Sequence, residues 1–137
     1  MRKITSFHAP PALAALLSLA VLLASACDPA INTVRIETGN APLRPVFVLA
    51  DSTGRGRSGP IYGLSVVPCG SDSAIWQIAS RQTVGAPSRV AYGETPDGFV
   101  TLIGPEPLRR GCYDVFITNA KRVRFRVDNQ GRVVTEP

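Results

Sequence analysis

The sequence predicts an all-β fold, an antiparallel sandwich or barrel of about seven to nine short strands. Three observations carry this. Short apolar or alternating runs recur between Gly, Pro, Asn and Asp punctuation. No segment beyond residue 26 offers a sustained apolar stripe at helical spacing. The 12 prolines of the 137-residue chain also oppose long helices.

In chain order the runs are Thr33–Thr38, Pro45–Ala50, Ile61–Pro68, Ala74–Ser80, Ser88–Tyr92, Phe99–Ile103, Cys112–Thr118, Arg122–Val127 and Arg132–Thr135. In the fourth, Trp76 and Ile78 share a face. Pro96-Asp97-Gly98 is a turn before the sixth, and Gly111 a turn glycine before the seventh. The last two form the clearest hairpin. In Arg122-Val123-Arg124-Phe125-Arg126-Val127 the valines and Phe125 face one side and the three arginines the other. Asp128-Asn129-Gln130-Gly131 suits a type I turn with Gly131 left-handed. An apolar face inward and an arginine face outward imply one solvated sheet surface.

The first residues follow a different rule. Arg2 and Lys3 give a positive start, Ala12 to Ala24 are apolar apart from Ser18, and small residues lead to Cys27. That is the layout of an export signal, too short to span a membrane as a helix, which needs about 20 apolar residues. Leu23-Ala24-Ser25-Ala26-Cys27 resembles the leader of bacterial lipoproteins cut by the lipoprotein signal peptidase. The usual leucine three places before the cysteine is here Ala24. Ala24-Ser25-Ala26 also fits ordinary secretory cleavage.

The resemblance implies residues 1–26 as a cleaved signal peptide, 27–32 as a lipidated start and short tether, and 33–137 as the β domain. It also implies two or three acyl chains on Cys27 and a permanent anchor in the cell envelope, facing the periplasm or exterior. Asp28 resembles the signal that retains enteric lipoproteins in the inner membrane. Cysteine parity agrees with lipidation: with Cys27 acylated, Cys69 and Cys112 remain free to pair in an oxidising compartment. The order Cys69, Trp76, Cys112 resembles an Ig-like β-sandwich, although Trp76 sits close to the first cysteine and Tyr113 follows the second. The mature chain as a whole resembles small Ig-like β lipoproteins of bacteria, a likeness that transfers no activity.

Composition bounds the function. The 111 residues after the leader suffice for one domain with a modest core. Loss of Arg2 and Lys3 lowers the net charge from +5 to +3, too little for a dedicated nucleic-acid binder. The one histidine, His8, leaves with the leader, removing histidine-based catalysis and the commonest zinc ligand. Cys69 and Cys112 lack C-x-x-C spacing, and Asp51, Asp72, Glu94, Asp97, Glu106 and Asp114 are scattered. No catalytic role, metal or cofactor is expected.

Gly54-Arg55-Gly56-Arg57-Ser58-Gly59 formally matches a dinucleotide fingerprint, but Pro60 and a β-prone run follow where a helix should begin. A glycine-rich connection is the expectation. Arg122, Arg124 and Arg126, joined by Arg109 and Arg110, are the candidate anion-binding residues; a solvated edge strand is the preferred explanation of the three on the strand. The expected function is a noncatalytic envelope module that contacts a membrane through its anchor and an envelope protein through its sandwich. An anionic glycan or lipid headgroup is the alternative ligand, and a small carboxylate-dependent hydrolase ranks last.

Overall fold

The computed structural model describes residues 32–38, 43–81 and 85–136. The leader, Cys27 and the tether up to residue 31 lie outside them. Among the described residues there are nine strands and no helix: β1 (Thr33–Thr38), β2 (Pro45–Ala50), β3 (Gly63–Pro68), β4 (Trp76–Ser80), β5 (Arg89–Ala91), β6 (Phe99–Ile103), β7 (Gly111–Ile117), β8 (Val123–Val127) and β9 (Val133–Glu136). Every expected run overlaps one strand, and three match residue for residue; β7 starts one residue before its run and β9 ends one residue after. The strands form two antiparallel sheets, β1-β2-β5 and β6-β4-β3-β7-β8-β9.

Alternation decides which side chains meet between the sheets. On β2, Pro45, Phe47 and Leu49 point inward, and Ile36 and Val90 join them from β1 and β5. The larger sheet answers with Leu64, Val66, Trp76, Ile78, Val115, Ile117, Phe125 and Val127. Phe47 stacks on Trp76 with ring centres 6.3 Å apart and tilts against Phe125 at 6.4 Å. Trp76 meets Tyr92 edge-on at 5.1 Å, and Phe125 stacks on Tyr113 at the same distance. Such aromatic pairs each contribute about 0.5–1.5 kcal/mol beyond the area they bury.

Local chemistry fixes the connections. After β8, Asp128 accepts from the amides of Gln130 and Arg132 at 2.8 and 2.9 Å, and the Gly131 amide reaches the Asp128 carbonyl with Gly131 at φ 72°. Those bonds hold the chain in the predicted turn. Gly104 has φ 63°, and a Cβ there would run into the carbonyl of Ile75, so only glycine fits where β6 leaves its sheet.

Cys69 and Cys112 form a disulfide, with Cα atoms 5.3 Å apart and 43 positions of separation. The bridge joins the end of β3 to β7, its neighbour in the same sheet, and the Cys69 amide donates to the Cys112 carbonyl at 2.9 Å. It therefore staples one sheet rather than linking two. Closing a loop of that length stabilises the fold by about 4 kcal/mol in the chain-entropy account.

Tyr113 ties the approach to β7 onto the strand itself. Its hydroxyl accepts from the Arg109 amide at 2.9 Å and donates to the Arg109 carbonyl at 2.7 Å, while Leu108 is buried beside the core. Replacing Tyr113 by Phe keeps the ring and orphans both backbone groups. Denaturant unfolding should show a loss of about 1–3 kcal/mol, and an unchanged midpoint would remove this corner from the account.

Candidate functional site

The arginine face of β8 is occupied. Arg124 lies opposite Asp114 on β7 and grips its carboxylate with two bonds, Nε to Oδ1 at 2.8 Å and Nη2 to Oδ2 at 3.2 Å. Arg122 approaches the same carboxylate at 3.8 Å, and Arg126 pairs with Glu136 of β9 at 2.8 Å. The hydrogen bonds from Arg124, followed by the charges of Arg124 and Arg122, hold the Asp114 carboxyl below its usual range against the opposing effect of burial. In sequence these arginines read as a free row. Only the strand pairing shows that β7 and β9 bring carboxylates to them.

β8 also carries its arginines from one end of the domain to the other. Arg122 stands at the end where β1 begins, whereas Arg109 and Arg110 stand at the end where β8 finishes. The candidate anion-binding residues are thus divided. Arg110 and Arg126, with Arg132, line one cleft of about 490 Å³; Arg122 lines another of about 460 Å³ with Lys121, Asn32 and Ser52. In the first cleft Arg132 is held by Asp128 at 3.0 Å and Arg126 by Glu136, so two of its three arginines are ion-paired.

The pole where β1 begins is organised by Asn32, a buried residue that the sequence reading left in the tether. Its amide donates to the Asn119 carbonyl at 2.7 Å, its side-chain oxygen accepts from the Gly59 amide at 2.8 Å, and its side-chain nitrogen donates to the Gly59 carbonyl at 3.2 Å. One asparagine thereby joins the β2–β3 connection to the β7–β8 turn. Asn119 adds a bond to the Pro60 carbonyl at 3.2 Å, and Thr33 one to the Asp51 carbonyl at 2.9 Å.

The Gly54–Gly59 segment is a surface loop at this pole. Asp51 caps it, accepting from the Thr53 hydroxyl and from the amides of Thr53 and Arg55. The Thr53 hydroxyl, then backbone amides, lower the Asp51 carboxyl from its ordinary range. β3 follows the loop, with none of the helix that a dinucleotide site requires.

At the opposite pole Leu43, Arg44, Tyr92, Pro105, Pro107 and Leu108 line an open groove of about 510 Å³. The Tyr92 hydroxyl donates to the Glu106 carbonyl at 2.6 Å. Burial, then Tyr113 and Glu106 nearby, push its phenol up to about 12, so it stays protonated and holds that loop at neutral pH. Glu94 accepts from the amide of Ala91 at 3.2 Å, which makes it a turn cap. Among the described residues no three His, Cys, Asp or Glu side chains gather as a metal-binding set, and no helix is long and apolar enough to cross a membrane.

Compared with protein families, curated proteins and solved structures, the chain gives no match.

The Asp114 pair yields a pH test. A carboxylate depressed in the folded state adds stability above its unfolded value of about 3.9, and that stability is lost as pH falls through the folded value. Arg124→Ala removes the main partner of the Asp114 carboxylate and should lower stability at pH 7. The deficit should shrink below about pH 4, as Asp114 protonates in both proteins. A pH-independent deficit in urea unfolding would contradict the assignment.

Proposed function

We propose that the protein is a noncatalytic envelope lipoprotein, anchored through acyl chains on Cys27, whose β-sandwich acts as a structural or protein-interaction module in the periplasm or at the cell exterior. The observation that carries the reading is polarity. The chain joins the sandwich at Asn32, and the apolar groove around Leu43 and Tyr92 lies at the other end. An anchor at Cys27 would hold one pole near the bilayer and present the other to the envelope.

The noncatalytic part of the reading is supported by what the acidic groups do. Asp51, Glu94, Asp114 and Asp128 spend their oxygens on loop amides, turn amides or arginines. The Ig-like refinement is supported by strand adjacency. With β1, β2 and β5 taken as A, B and E, and β3, β7 and β8 as C, F and G, the neighbours A-B-E and C-F-G correspond to that sandwich. The cystine between adjacent strands departs from the usual inter-sheet bridge.

An anionic glycan or lipid headgroup remains the second reading, favoured by the cleft of Arg110, Arg126 and Arg132. Metabolic labelling with a fatty-acid analogue, followed by crosslinking in intact membranes, separates the readings. The wild type should take up label and crosslink to a protein; Cys27→Ser should take up none. Unlabelled wild type would overturn the anchor, and adducts only to glycan or lipid would favour the second reading.

A further inference from the structure

We infer that the pole where the chain joins the sandwich is a cationic docking surface for anionic lipid headgroups, built from Arg55, Arg57 and Lys121 with Arg122 at its margin. The inference rests on the proposed anchor and adds a second, electrostatic contact to it. Its first support is placement. Arg55 and Arg57 are exposed on the β2–β3 loop, Lys121 is exposed on the β7–β8 turn, and Asn32 bonds to both segments. From Cys27 to Asn32 the chain reaches at most about 17 Å, so an acylated Cys27 keeps these three cations close to the headgroup layer.

The second support is charge. Within the loop 51–60 and the turn 118–122 the one acidic residue is Asp51, whose carboxylate is engaged by Thr53 and Arg55 amides inside the loop. Arg81 adds to the same end, against Asp97. Arg122 is partly offset by its 3.8 Å contact with Asp114. The other pole is balanced, with Arg44, Arg109, Arg110 and Arg132 set against Asp72, Glu94, Glu106 and Asp128. The excess positive charge therefore sits at the end to which the lipid would be attached. Tyr62, 51% exposed and bonded through its amide to Thr118, adds an aromatic of the kind that favours bilayer interfaces.

Two weak membrane signals reinforce each other where one acyl chain or one basic patch alone is marginal. On an already permanent anchor the same charges would orient the sandwich, pressing the Arg55 and Lys121 loops to the surface and turning the Tyr92 end outward. Each such charge contributes enough that removing three should weaken partitioning about a hundredfold at low ionic strength. Salt should erase the effect, because at 1 M the Debye length shrinks to about 3 Å.

The test uses the exported chain beginning at residue 27 with Cys27→Ser, which removes acylation and leaves intact the core formed within residues 32–136. Its partitioning is measured onto vesicles of phosphatidylcholine alone or with phosphatidylglycerol at three parts in ten. Binding is expected only with phosphatidylglycerol, about a hundredfold weaker for Arg55→Ser/Arg57→Ser/Lys121→Ser, and unchanged for Arg109→Ser/Arg110→Ser. Absence of binding, equal binding to neutral vesicles, or equal loss in both variants would overturn the inference. None of these outcomes bears on fatty-acid labelling of Cys27, so failure of the pole and failure of the anchor remain distinguishable. An unshifted tryptophan emission in the variants confirms that Trp76 is still buried and the fold intact.

Discussion

The contact on which the rest of the molecule depends is Phe47 between Trp76 and Phe125. Neither sheet can bury its own inner face, and that face is apolar in both. Phe47, fully buried on the central strand β2, closes the two across ring distances of 6.3 and 6.4 Å. Truncating such a side chain to alanine ordinarily costs about 3–5 kcal/mol, a large fraction of the stability of a domain this size. Tyr92 and Tyr113 extend the same cluster toward one end, where their hydroxyls fix the 105–113 segment by its backbone.

That closure gives the domain two unlike ends. At one, Asn32 gathers the β2–β3 loop and the β7–β8 turn with backbone and side-chain bonds, and the loops it gathers are rich in uncompensated cations. At the other lie a proline-lined apolar groove and, beside the Asp128 turn, a cleft in which Arg126 and Arg132 are ion-paired. The face between them, along β8, is an ion-paired ladder in which Asp114 and Glu136 take up Arg124 and Arg126.

Much of the fold was legible in the sequence because a strand declares itself locally. Phe99–Ile103 and Pro45–Ala50 are bounded by turn residues and filled with β-branched or aromatic side chains, and their limits follow directly. The Asp128–Gly131 turn was equally plain. The candidate site was less so, since its meaning lies in pairing. The Arg122, Arg124 and Arg126 row looks free until β7 and β9 are set beside it, and Arg109 and Arg110 look continuous with it until β8 places them at the other end. Asn32 looked like tether because nothing local marks an asparagine that will be buried by partners 27 and 87 residues away. Tyr113, offset from the familiar tyrosine position, still reaches back four residues to form the corner.

Residue-resolved arginine modification in native membranes measures whether the two poles face different surroundings. The wild-type protein and the exported Cys27→Ser form would be treated side by side and their modified residues mapped by mass spectrometry. Arg55 and Arg57 should be protected severalfold in the wild-type protein alone, while Arg110 should not gain that membrane-dependent protection. Equal modification of Arg55, Arg57 and Arg110 in both forms, or membrane protection confined to Arg110, would contradict it.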